Sequence, residues 1–198
     1  MEELKLLEEK IGGRWTGITF NGNDPVKEDL AKRKMRLCEA IKESYTRPIV
    51  LTKDLISCPG ALRSLGWATD LDDSLAHKIA EASGTDPDVA QKLVANTPHL
   101  EPAVSVTIGN TDSPDIAISY TQPEAAMRLL RLWQQVKGTD LDIAASSVMA
   151  VCGSVVAKVH RTKRICLSFG CPDSRKYGAI GRDRLVIGLP VGMIRDFL

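Results

Sequence analysis

Residues 103–138 read "AVSVTIGNTDSPDIAISYTQPEAAMRLLRLWQQVKG", and this stretch decides the fold class. Two β-favouring runs, Ala103 to Ile108 and Asp115 to Tyr120, flank the polar turn Gly109-Asn110-Thr111-Asp112 and predict an antiparallel pair. Thr121-Gln122-Pro123-Glu124 has the S/T-x-x-E form of a capping box. It predicts a helix carrying Ala126, Leu129, Leu130, Trp133 and Val136 on one face, with Gly138 just past its end. The Trp133 stripe reads as core, so this helix is expected to be a central packing element.

The same alternation continues on both sides. Upstream, Glu2 to Lys10 reads as a short helix with Leu4, Leu7 and Ile11 on one side, and Trp15 to Phe20 as a strand. Asp24-Pro25 resembles an N-cap with proline at the first helical position, opening a helix to about Ser44. Leu30, Leu37, Ile41 and Tyr45 recur along it at helical spacing, with Cys38 on the same stripe. Pro48 to Leu51 is a short strand, and Ser57 is placed to cap a helix beginning at Cys58-Pro59. Helices over about Asp73–Ser83 and Pro87–Ala95 follow, the second with Thr85 as its cap. Downstream, Cys152-Gly153 opens a helical run to about His160, and Arg164–Phe169 and Arg184–Leu189 read as strands. Mixed order of this kind predicts an α+β or α/β fold, a single domain over 1–198 with a mixed β-sheet packed with helices.

A chain of 198 residues with 43% hydrophobic content is long enough for one sizeable core. Its 26 basic residues balance 25 acidic ones, so no electrostatic footprint of a nucleic-acid binder is present. Met1-Glu2-Glu3-Leu4 lacks the basic, then apolar, pattern of a signal peptide. The longest weakly polar run, Ile143 to Ala157, falls short of the roughly 18 residues that a membrane span needs. The expectation is a cytoplasmic protein with neither nucleic acid nor membrane as partner.

Cys38, Cys58, Cys152, Cys166 and Cys171 form no CxxC pair, and no P-loop, GxGxxG, HExxH or GxSxG is present. Position is more telling than number. Cys58 and Cys152 read as lying at helix starts, and Cys171, inside "SFGCPDSRKYG" (168–178), at a strand-to-helix turn. Such positions favour thiolate over thiol. Glycine or proline beside each sulfur (Pro59 and Gly60, Gly153, Gly170 and Pro172) lets a ligand approach closely. The competing reading is that free cysteines fill small core spaces, above all mid-helix Cys38 and mid-strand Cys166. Likewise the run Arg175-Lys176 and Arg182 reads as a solvated face unless the turn at Cys171 presents a ligand.

Five stretches, "RPIVLT" (47–52), "SCPGALRSLGW" (57–67), "TQPEAAMRLLRLWQ" (121–134), "VCGSVVA" (151–157) and "SFGCPDSRKYG", resemble in the same order the archaeal conserved region family, domain of unknown function 169. The likeness covers about residues 35–195, with the N-terminal helix and strand of 1–22 packed onto it. The family is found in methanogenic archaea and anaerobic bacteria and has no established activity. The resemblance implies that Cys38, Cys58, Pro59, Gly60, Pro123, Met127, Cys152, Gly170, Cys171 and Arg175 are the positions to watch. Family members often carry a "CPMCEA"-like run where this chain has Lys34-Met35-Arg36-Leu37-Cys38-Glu39-Ala40, so one sulfur of that pattern is missing here.

Three functional readings follow. In the first, Cys38, Cys58, Cys152 and Cys171 converge on a metal, an iron–sulfur cluster or zinc, with Cys166 left out. In the second, Cys58 or Cys171 is the nucleophile of a thiol-dependent enzyme or ligand binder. Cys171, Arg175, Gly60 and Gly170 then hold a small anionic molecule at a pocket rim. In the third, the cysteines are core and the protein is a non-catalytic accessory or oligomer. A small molecule, a redox partner or a second copy of the chain are the partners these readings imply.

Overall fold

The computed structural model describes residues 2–22, 29–70, 72–109, 111–143 and 145–196. Its centre is a six-stranded sheet built from β1 (Trp15–Asn21), β2 (Ile49–Leu51), β3 (Ser105–Gly109), β4 (Ile116–Thr121), β5 (Cys166–Ser168) and β6 (Leu185–Pro190), in the order β2-β3-β1-β4-β6-β5. Every pairing of these strands is antiparallel. Parallel contacts are isolated bridges outside the strands, such as Leu30 to Val50 and Met35 to Ile56. The fold is therefore α+β, and the mixed character expected of the sheet is confined to those bridges.

One expected pairing is corrected. β3 and β4 are consecutive, but they do not form a hairpin: β1 lies between them, with Gly17 opposite Gly109 on one side and Ala117 on the other. Gly17 is required by this close approach, since a Cβ there would lie 2.6 Å from Pro114 Cβ and 2.9 Å from the Gly109 carbonyl oxygen.

Helices cover both faces, so β3, β4 and β6 are buried along their whole length. A strand buried on two sides reads as a continuous apolar run rather than an alternating one. One face of β4 and β6 sends Ile116, Ile118, Tyr120 and Val186 into a core shared with α2 (Leu37–Glu43), α3 (Pro59–Ser64), α4 (Asp72–Ser83), α5 (Pro87–Asn96) and α7 (Lys158–Thr162). The other sends Ala117, Leu185, Ile187 and Leu189 against α1 (Glu2–Lys10), α6 (Pro123–Lys137) and α9 (Val191–Ile194).

Local readings are adjusted in several places. The helix expected from Asp24 begins only at Leu37; Asp24 and Pro25 lie outside the described residues. Residues before Leu37 instead run alongside β2 and the turn after it, Ala31 N–H donating to Val50 O at 3.0 Å and Met35 N–H to Leu55 O at 2.9 Å. Asp86, not Thr85, caps α5, its carboxylate accepting from Asp88 N–H at 2.9 Å. Thr121 closes β4 as a buried residue, leaving Gln122 as the N-cap of α6. On α6 the buried residues are Ala125 and Leu129, and Trp133 is only partly buried. The core face is thus rotated from the expected Trp133 stripe, and Val136 is 49% exposed. Gly138 ends the helix in the left-handed conformation, φ 66°.

Candidate functional site

Four of the five cysteines line one cavity of about 260 Å³: Cys38, Cys58, Cys152 and Cys171. Each arrives at the start of a helical segment. Cys38 is the second residue of α2, and Cys58 is the N-cap of α3 in place of the expected Ser57, which is exposed. Cys171 is the N-cap of α8 (Pro172–Tyr177), and Cys152 opens a π-helical turn, Cys152–Ala157. Proline at the first helical position of α3 and α8 fixes the entry of the chain without wasting an N–H group.

The π-helix was not legible in the sequence. Val156 N–H donates to Val151 O at 2.9 Å, five residues back, and Ser154 N–H reaches Met149 O at 3.1 Å. Single π turns inside helices are rare and cluster at functional sites. This one is wedged between α3 and the sheet: a Cβ on Gly188 of β6 would lie 2.5 Å from Val155 Cγ1. Gly60 at the start of α3 faces the same segment, and a Cβ there would meet Met149 Cγ at 3.2 Å and Cys152 Sγ at 3.7 Å. Gly60 therefore lines the cavity, as do Met149 and Pro59.

The turn at Cys171 is built by side-chain hydrogen bonds. Cys171 N–H donates to Ser174 Oγ at 2.8 Å, and the Ser174 hydroxyl donates to Cys171 O at 3.0 Å. Gly170 takes φ 81° to enter it and is not among the cavity residues. The expectation that Arg175 faces the cavity is corrected. Its guanidinium donates to three backbone carbonyls, Phe169 O at 2.5 Å, Gly181 O at 2.6 Å and Ile180 O at 3.4 Å. Its role is to tie the turn to the loop before β6.

The arginine in the cavity is Arg36, which the sequence reading passed over. It pairs with Asp173 at 2.6 Å and stacks on the Tyr177 ring at 4.1 Å, so it clasps α8 to the start of α2. Its positive charge favours the Cys38 thiolate.

Burial opposes the activation expected of Cys152 at its helix start. Burial pushes the Cys38 thiol up to about 12, and negative charge on Cys58 and Cys171 adds to the shift. Cys152 is raised well above the ordinary thiol range by burial, then by charge on Cys58, Cys171 and Cys38. The helix starts are short, and their dipoles do not offset this desolvation and mutual repulsion. Cys38 and Cys152 thus sense the charge of the other cavity thiols. Cys166 lies outside the cavity, buried in β5, its thiol raised by burial. None of the five is in a disulfide.

Among the described residues, no group of three or more His, Cys, Asp or Glu side chains is arranged to hold a metal ion. No described helix is long and apolar enough to cross a membrane.

The comparisons with known proteins extend the sequence resemblance. The model of the uncharacterised ArCR family, DUF169, matches residues 14–198, which takes in β1 as well as the five quoted stretches. An uncharacterized protein of Methanocaldococcus jannaschii is 27% identical over 173 residues, 82% of this chain and 74% of that protein. No solved structure matches.

Proposed function

The chain belongs to the DUF169 family of archaeal conserved proteins, and from this premise we propose that it binds an iron–sulfur cluster through Cys38, Cys58, Cys152 and Cys171. The observation that carries the reading is that four cysteines from four separate segments line one cavity while the fifth is left out. Four thiolates are the usual complement of such clusters. A single zinc ion fits less well. Zn–S bonds of about 2.3 Å bring tetrahedral sulfurs to about 3.8 Å from one another, and no such group exists among the described residues. Four cysteines lining one cavity suit a centre larger than a single ion. The positively charged core of a cluster would also relieve the electrostatics, since it replaces the protons that burial and mutual repulsion hold on Cys38 and Cys152. Free thiols of this kind suit a reducing, cytoplasmic setting.

Anaerobic reconstitution with ferrous iron and sulfide, followed by gel filtration, tests the reading. Wild-type protein and Cys166→Ser are expected to retain iron and acid-labile sulfide with visible absorbance. Cys58→Ser and Cys171→Ser, both at partly exposed positions, are expected to lose them. Colourless wild-type protein, or a Cys166→Ser variant that loses iron as fully as Cys58→Ser, overturns it. A colourless but folded protein instead favours the thiol-dependent reading, with Arg36 rather than Arg175 as the cation beside Cys58.

A further inference from the structure

The cavity has a wall that the cysteines do not need. Leu75, Ile79, Ala82, Ser83 and Lys78 of α4 line it, and none bears sulfur. Leu75 is buried, Ile79 half-buried, and Lys78, Ala82 and Ser83 exposed, so the wall runs from the interior to an open mouth. Exposed Pro172 and Asp173 of α8 also line the cavity. The wall is held in place. Buried Arg63 on α3 pairs with Asp72 at the start of α4 at 2.5 Å and donates to Thr97 O past the end of α5 at 2.7 Å. Preformed, largely apolar concavities with a few polar groups are the usual form of small-molecule sites.

Charge at the mouth is uneven. Asp173 and Arg36 neutralise one another at 2.6 Å. Lys78 is the other charged residue lining the cavity, and no ion pair or hydrogen bond engages it among the described residues.

We propose that the α4 wall is a subsite for a small organic molecule with an apolar body and an anionic end, the anion at Lys78 and the body directed toward the cysteines. The assignment rests on the reading of the cavity given above, with the cysteine floor as its working end. It names the class of molecule that is brought there.

Calorimetric titration of the full chain with hexanoate, hexan-1-ol and hexylamine, anaerobically, tests it in the metal-free and the reconstituted protein. Hexanoate is expected to bind. Hexan-1-ol should bind about two- to fivefold more weakly, the range an exposed ion pair supplies, and hexylamine more weakly still. Lys78→Gln should bring hexanoate to the level of hexan-1-ol. Ala82→Trp, which fills the wall from an exposed position, should abolish binding of both with melting temperature unchanged. Ser83→Trp gives the same reading should Ala82→Trp fail to fold. Absence of hexanoate binding, equal binding of the three probes, or undiminished binding in both tryptophan variants overturns the proposal. Iron is assayed on the same samples. Hexanoate binding without iron retention sinks the cluster and sustains the subsite, and iron retention without hexanoate binding does the reverse.

Discussion

Replacing Gly153 by alanine puts a methyl group where the π-helix presses on its neighbours. The added Cβ would lie 2.4 Å from Thr97 Cγ2, 3.1 Å from Ser64 Oγ and 3.2 Å from Met149 Cβ. Carbon atoms ordinarily meet at about 3.5–4.0 Å, so the contact with Thr97 has to open by more than an ångström. Thr97 is poorly placed to yield. It is buried, its hydroxyl donates to Leu93 O at 2.8 Å, and its carbonyl accepts from Arg63 at 2.7 Å. Overpacking costs about 1–3 kcal/mol, and so large an overlap against a held side chain belongs in the upper half, about 2–3 kcal/mol. The better helix propensity of alanine returns at most about 1 kcal/mol, which leaves a net loss of about 1–2 kcal/mol. With a urea m-value of about 2 kcal/mol/M, the midpoint should fall by roughly 0.5–1 M at unchanged slope. Gly192→Ala in α9 is the matched control, because nothing lies within 4 Å of its added Cβ. A Gly153→Ala midpoint at or above wild type, or a shift no larger than that of Gly192→Ala, refutes the packing argument.

Two further outcomes are expected. The Cys38 thiol is raised from an ordinary 9.0 to about 12 in the folded chain, so its contribution is fully present below pH 9 and lost as pH rises toward 12. Urea titrations of metal-free, anaerobic protein should show stability falling across that window with a slope of up to about 1.4 kcal/mol per pH unit for this thiol. A Cys38→Ala variant whose pH profile is as steep as wild type would show that another group carries the effect. On α6, Leu129→Ala should cost about 2–5 kcal/mol because Leu129 is 1% exposed. Met127→Ala, at 41% exposed, should stay within about 0.5 kcal/mol; the reverse ranking in thermal or denaturant melts would place the buried face of α6 elsewhere.

The elements were legible where local chemistry decides them: the apolar runs of β3 and β4, proline at the start of α3, α6 and α8, and Gly138 at the end of α6. What the sequence concealed was partner choice. Nothing local to residues 103–121 says that a strand from residues 15–21 will separate β3 from β4, because such a pairing depends on buried surface presented from far along the chain. The helix read from Asp24 failed at its first half for a related reason: Leu30 and Leu37 keep a helical spacing, yet bridges from Leu30 to Val50 and from Met35 to Ile56 hold the segment before Leu37 extended. Of the candidate site, Cys58, Cys152 and Cys171 were visible at helix starts because proline and glycine punctuate them, whereas Cys38, read as mid-helix, is the second residue of α2. Arg36 was hidden just past the basic run Lys32-Arg33-Lys34, and its partners Asp173 and Tyr177 lie far away in sequence. Arg175 misled because adjacency to Cys171 was taken as orientation, whereas nearby carbonyls claim its guanidinium.

The placement of β1 also bears on how the chain is made. Phe20 N–H donates to Asp115, 95 residues further on, and both ladder partners of β1 come from the same distant stretch. A ribosome therefore releases this central strand long before anything exists to pair with it, and its two edges stay open until β3 and β4 follow. Closure of so long a loop is slow compared with helix formation. Unpaired apolar strands are the species that associate wrongly between nascent chains. The cavity inherits this timing: α2 and α3 emerge early, but Cys171, the cap of α8, follows more than 100 residues after Cys58, so the four sulfurs come together only after the sheet's centre has been made.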